Sequence, residues 1–323
     1  MVRAVQSGVP ESPVRPRSTA GLAAAIARGA SVVALESSVL AQGLLPPHNR
    51  EAAERMCAAV EAAGAVAAIT AIVRGVPSLG LESEDLERFL ARHGVRKVSA
   101  RDLGVCMADG ADGATTVAAT LALCALGGIE VFATGGIGGV HRNAPFDESA
   151  DLVELARTPV MVVCAGAKSI LDLPATLERL ETLGVPVVGY RTNDLPGFFT
   201  EHTGLPLTAR ADTPVQLARA WRAHRALGRT SAMLVVQAPP AASALAPELV
   251  ATATAAALDS ATAAGIRGAA VTPFLLAEIQ QRTNGKSVRA NLDLLENNAA
   301  LAGQIATALQ AAALTGEHWG TRE

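Results

Sequence analysis

Of the 27 basic residues in this 323-residue chain, only three are lysine: Lys97, Lys168 and Lys286. Lysine can lose its proton and attack a carbonyl carbon, whereas arginine cannot. Coding bias toward arginine explains any single surviving lysine. It explains Lys168 less well, because that residue follows the apolar run Val160 to Ala165 and sits beside Gly166. Upstream stands a glycine cluster, Gly135, Gly136, Gly138 and Gly139, then His141-Arg142 and an acidic loop with Asp147, Glu148 and Asp151. Another carboxylate, Glu36, directly follows the apolar run Ser31 to Leu35, a placement that suits an acid–base group. A helix-capping or solvated glutamate explains that segment equally well. The run Asp109 to Thr116 (DGADGATT) leads into the apolar stretch Val117 to Leu126. Free backbone N–H groups, two hydroxyls and the positive end of a helix dipole make this an anion site in prospect. Gly-Thr caps without any ligand are common, so the motif is weak by itself.

Sorting polar residues by position at strand ends or Gly-rich turns leaves Glu36, Lys97, Thr116, His141, Asp147, Ser149, Asp151 and Lys168, with Asn291 as a looser addition. The set holds one imine-forming amine, one acid, an anion pocket and oxygen ligands. It suits a phosphorylated sugar or aldehyde held by its phosphate while its carbonyl carbon meets a lysine. Plainer readings exist: His141-Arg142 as an exposed basic turn, and the acidic loop as a capped helix start. Asp-rich loops also bind Mg2+ or Mn2+ through one or two carboxylates and water. Zinc is disfavoured without closely spaced histidines. The GGIGG run does not fit the dinucleotide fingerprint with its later acidic residue.

The elements that must position these groups are short aliphatic strands alternating with helices. Strands are expected at Ser31–Leu35, Val66–Val73, Val131–Ala133, Val160–Ala165, Val185–Tyr190 and Ala232–Val236. Helices are expected between them, with Ser83 as one N-cap, and residues 192–208 as a loop. This alternation argues an α/β fold, a three-layer α/β/α sandwich over a mixed, mostly parallel sheet. Residues 1–18, rich in Pro, Ser and Arg, read as a disordered arm, and 19–323 as one domain. The chain is 50% hydrophobic but only 3% aromatic, so the core is aliphatic. A net charge of −3 gives no case for nucleic acid or an anionic membrane. No apolar run is long enough to span a bilayer, and the N-terminus lacks a signal-peptide core. Cys57, Cys106, Cys124 and Cys164 are widely spaced in apolar contexts, which fits free thiols in a reducing cytoplasm.

Several motifs carry a resemblance. ALESS, RKVSARDL, DGATTVAAT, VFATGGIGGVHR, DESADL, VVCAGAKSILDL and GKSVRANLDLLENNA, in that order, resemble the pseudouridine-5′-phosphate glycosidases, which include the indigoidine-synthase-A-like proteins. The likeness runs from Val32 to Ala306. It implies an α/β/α fold and a homotrimer. It also implies reversible cleavage of pseudouridine 5′-phosphate to uracil and ribose 5-phosphate through a covalent lysine–ribose adduct.

Carried over by motif, the nucleophile is Lys168 and the acid that handles protons on the base is Glu36. Lys97, Ser149, Ala150 and Asp151 contact substrate. Thr116 and the Val117 backbone meet the phosphate near His141, Asn291 faces the base, and Asp147 holds Mn2+ (or Mg2+) largely through water. Three departures stand out: Gln42 replaces a family histidine, Gln237 replaces an asparagine, and the loop from His141 to Asp147 is shorter. If these fall at the base end, a relative that joins ribose 5-phosphate to an aromatic polyketide is the alternative. A non-catalytic sugar-phosphate-binding protein is the third reading, and the intact lysine and glutamate argue against it.

Overall fold

The short Val/Ala/Leu-rich runs fit a sheet buried on both faces, and the intervening segments carry one apolar stripe each. The computed structural model describes residues 14–142, 146–268 and 271–314. Its strands are β1 (Arg17–Ser18), β2 (Val32–Glu36), β3 (Val66–Val73), β4 (Val76–Leu79), β5 (Arg96–Val98), β6 (Gly113–Thr115), β7 (Val131–Ala133), β8 (Val140–His141), β9 (Met161–Cys164), β10 (Leu171–Asp172), β11 (Val187–Tyr190), β12 (Ala209–Ala211) and β13 (Met233–Val236). Its α-helices are α1 (Ala20–Ala27), α2 (His48–Ala62), α3 (Ser83–Ala91), α4 (Leu103–Ala108), α5 (Val117–Gly127), α6 (Ala150–Arg157), α7 (Leu173–Thr182), α8 (Pro214–Ala226), α9 (Pro247–Ala263), α10 (Val271–Arg282) and α11 (Lys286–Leu314).

The main sheet has 11 strands in the order β1-β4-β3-β2-β7-β9-β13-β11-β12, with β6 on β3 and β5 on β6. Its pairings are parallel except β3 with β4 and β3 with β6. β8 and β10 form a separate antiparallel ribbon. Helices cover both faces: α11 lies across β2, β7 and β9 beside α2 and α8, while α5 crosses β2, β3 and β7 beside α6. This is the expected three-layer sandwich. A continuous aliphatic core runs from Leu22 to Leu309. Among the described residues no helix is long and apolar enough to cross a membrane. The four cysteines are free thiols.

Two local expectations need correction, and strands β4 and β12 were not expected. Arg17 and Ser18 belong to the sheet, paired with Ser78 and Leu79, so an arm reaching residue 18 is too long; residues 1–13 lie outside the described residues. Strand β4 contains Pro77, a residue type that ordinarily interrupts a strand. Proline fits because β1 pairs only with Ser78 and Leu79 and demands no N–H from it. Ser83 is the first residue of α3, and Glu82 is the N-cap without a side-chain hydrogen bond. Strand β12, after the long loop, pairs with β11 through only three residues, too few to leave a periodic signal.

Candidate active site

In a parallel sheet the carboxyl ends of the strands share one edge, where ligands gather. Here β2 ends in Glu36, β7 leads into Thr134 and the glycine turn, and β9 leads through Cys164 to Lys168. The register aligns Leu35 with Ala133 and Ala133 with Val163, so these strand tips stand level. At the far side of β3, β6 leads into Thr116, and Lys97 pairs beside Ala114 on β5.

A cavity of about 430 Å³ opens over these tips. Glu36, Lys97, Thr116, Val117 and His141 line it, as do Asp147, Ser149, Ala150, Asp151, Lys168 and Asn291. The eleven positions singled out in the sequence therefore meet in one place. Lys168 Nζ donates to the Gly136 carbonyl at 2.7 Å. The Glu36 carboxyl is buried, accepting from Ser38 Oγ at 2.5 Å and from Thr134 Oγ1. Lys97 is wetted by the cavity but walled by protein. Its pKa is lowered, first by loss of bulk water and then by the Lys168 ammonium, against the opposing pull of Asp151 and Glu36. Cys164, four residues before Lys168 at the end of β9, is no rival nucleophile, because burial pushes its thiol up to about 12.

The candidate anion site differs in detail from the simple helix-start picture. Thr116 caps α5, its Oγ1 accepting from Ala119 N at 3.5 Å. Asp151 Oδ1 accepts from Ala118 N at 2.9 Å and its Oδ2 from Gly138 N at 2.8 Å. Thr115 is buried in a hydroxyl cluster with Ser37, Thr70 and Thr120 and is not available to a ligand. Among the described residues, the first-turn N–H left without a protein acceptor on α5 is that of Val117. On α6, Ser149 is the N-cap, accepting from Asp151 N at 3.2 Å, and the Ala150 N–H is likewise unaccepted. Two helix starts thus present Val117 and Ala150 N–H groups to one cavity. Gly138 is required here, since a Cβ would collide with the Ser149 hydroxyl and the Asp151 carboxylate. Gly136 is required too, because a Cβ would lie 2.6 Å from the Phe198 ring.

The acidic loop divides its work. Glu148 is paired with Arg179 at 2.9 Å, and Asp151 is the brace just described. Asp147 is exposed on the cavity lining, with no ion pair among the described residues, while its carbonyl accepts from His141 N at 3.0 Å. No group of three or more His, Cys, Asp or Glu side chains that could hold a metal occurs among the described residues. A lone exposed carboxylate beside an anion site fits a hydrated hard cation rather than a protein cage. Residues 143–145 of the shortened loop lie outside the described residues.

Of the two glutamine departures, Gln42 lines the cavity and Gln237 does not. Gln237 is buried behind the glycine turn, donating to Asn298 Oδ1 at 3.0 Å. Sequence reasoning missed the Ser38 and Thr134 hydroxyls on Glu36. It also missed the apolar part of the lining, made by Val39, Phe198, Pro273 and Leu276. Thr134 had a signal, a hydroxyl directly after a buried strand; the wall residues come from distant segments and had none.

The family model described as indigoidine synthase A like protein matches residues 21–308. The chain belongs to the indigoidine synthase A-like family. Within it, a relative from Gemmatimonas aurantiaca, named pseudouridine-5′-phosphate glycosidase, is 75% identical over 296 residues, covering 92% of this chain and 97% of the relative. One of the same name from Herpetosiphon aurantiacus is 56% identical, covering 88% and 95%. Among solved structures, the prealnumycin C-glycosynthase AlnA in complex with ribulose 5-phosphate superposes with a TM-score of 0.87 at 38% identity, covering 94% of this chain and 100% of that one. An indigoidine synthase A-like protein from Thermotoga maritima gives a TM-score of 0.84 at 34% identity, covering 92% and 97%.

Proposed function

We propose that this indigoidine synthase A-like protein is a C-ribosyl glycosidase that reversibly cleaves pseudouridine 5′-phosphate to uracil and ribose 5-phosphate. The observation that carries the reading is that Lys168 and Glu36 line one cavity with two unaccepted helix-start N–H groups. The 75% identity to a protein of that name supports the substrate.

In this reading the phosphate sits against the Val117 and Ala150 N–H groups, with Thr116, Ser149 and His141 beside it and Lys97 supplying charge. Binding energy at the phosphate aligns the sugar on Lys168. The unprotonated Lys168 amine attacks C1′; the C1′–O4′ bond breaks and O4′ takes a proton. Glu36 then gives a proton to the base carbon attached to C1′. The C1′–base bond breaks, its electron pair restoring the conjugation of the base. The lysine nitrogen lone pair meets the positive character left on C1′ as an iminium, and water hydrolyses it to ribose 5-phosphate. A carbon–carbon bond has no ready leaving group, which is why an amine and an acid are both needed. Asn291 faces the base.

A Mn2+ or Mg2+ ion held at Asp147 through water would neutralise phosphate charge. Four free thiols suit a cytoplasmic setting, and the motif resemblance supports a homotrimer. The test is incubation with pseudouridine 5′-phosphate and Mn2+, following uracil release and a borohydride-trapped sugar on Lys168. Chelation is expected to lower the rate, and light scattering reads the trimer. Absence of a trapped adduct rejects the covalent route and leaves the sugar-phosphate-binding reading. The second reading, C-ribosylation of an aromatic polyketide, draws on the likeness to AlnA and on Gln42 in the cavity wall. A trapped adduct without any uracil chemistry would favour it.

A further inference from the structure

A general acid must be held in one place in both of its protonation states. A cation or an amide N–H beside a carboxyl can only donate, so it favours the anion and resists the acid. A hydroxyl can donate to a carboxylate and accept from a carboxylic acid, reversing by rotation. The hydrogen-bond partners of Glu36 are of this second kind.

Ser38 Oγ meets Oε2 at 2.5 Å and Thr134 Oγ1 meets Oε1. Among the described residues Glu36 forms no salt bridge, although Lys97 and Lys168 line the same cavity. The two hydroxyls come from different elements. Ser38 lies two residues past Glu36, and Thr134 is the level residue on the neighbouring strand tip, fixed by the Leu35–Ala133 register. Thr134 is itself buried and pinned: its N–H donates to Val163 O at 3.0 Å, and its carbonyl accepts from Asn298 Nδ2 at 2.8 Å. Asn298 in turn is held by Gln237. Two residues on, the Gly136 carbonyl accepts from Lys168. The turn 134–136 therefore fixes the acid and the amine together.

We propose that Thr134 and Ser38 are positioning residues that clamp Glu36 through reversible hydroxyl hydrogen bonds, so that it can give up and regain its proton without moving. The catalytic part of this rests on the proposed glycosidase reading.

The experiment compares the full-length protein with Thr134→Val, Thr134→Ser and Ser38→Ala. It follows uracil release from pseudouridine 5′-phosphate. It also follows the carboxyl 13C signal of Glu36 in glutamate-labelled protein at fixed pH, assigned by its loss in Glu36→Gln. In Thr134→Val and in Ser38→Ala the carboxyl signal is expected to move. kcat is expected to fall about 10- to 100-fold, the effect of one hydrogen bond to a charged group, with KM within about twofold. Thr134→Ser is expected to restore both. An unmoved carboxyl signal in the folded variants overturns the clamp, as does a loss confined to KM or a serine variant as poor as valine. If Thr134→Val does not fold, Ser38→Ala reads the same clamp at the other oxygen. Should the unsubstituted protein release no uracil, the glycosidase reading falls, while the carboxyl signal still judges the clamp.

Discussion

The cavity lining has two parts that are built differently. In one, strand tips and helix starts deliver Lys168, Glu36 and Asp151, each hydrogen-bonded to neighbouring backbone or hydroxyls. In the other, α10, the segment Val39–Gly43 and Phe198 offer a mainly apolar wall. Beside that wall Gln42 donates to Val95 O at 3.2 Å, while its buried Oε1 has no partner among the described residues. The first part is fixed by hydrogen bonds from sheet-end turns and helix caps. The second is assembled from separate helices and turns whose side chains can be exchanged without disturbing the sheet. On the proposed function, chemistry belongs to the first part and choice of the ring to the second.

The largest effect expected on this contrast is at the amine. Lys168→Ala and Lys168→Arg should both abolish uracil release, since arginine keeps the charge but cannot form the imine; activity in the arginine variant would break the covalent scheme. Next, Glu36→Gln should lower kcat by about 10²- to 10⁴-fold, the span of acid–base assistance, with the protein still thermally stable and still trapping a sugar from ribose 5-phosphate. Asp151→Asn should cost about 1–3 kcal/mol in chemical denaturation, because one of the two N–H groups on Asp151 loses its acceptor. Lys97 should show its lowered pKa directly. As pH rises through that value the side chain loses its charge before an ordinary lysine would, so KM should climb on the alkaline side, and Lys97→Arg should flatten that climb. The smallest effect belongs to the apolar wall: Leu276→Ala should raise KM by less than about tenfold while adduct formation from ribose 5-phosphate alone stays unchanged. An equal loss in adduct formation would show that the two parts of the lining are not separable.

How much of this was legible follows from where each signal resides. Aliphatic runs at Val131–Ala133 and Met161–Cys164 are local, so the strands and the three-layer fold could be read from them. Lys168, Glu36 and the acidic loop stood out by residue type after such runs. The first-turn capping pattern did not predict that Asp151 would take the Ala118 N–H, because the two residues are 33 apart in sequence. Gln42 and Gln237 looked alike as departures, yet one reaches the cavity and the other braces Asn298.

By itself the sequence determined which groups can react, which segments form the layers, and that one lysine and one glutamate follow buried strands. Those facts depend on side-chain chemistry and on hydrophobic period, both written within a few neighbouring residues. Only the tertiary structure decided that Thr134 touches Glu36, that Gly136 holds Lys168, and that two helix starts share one mouth. Those facts depend on strand register and helix packing, which join residues far apart in the chain and leave no local trace.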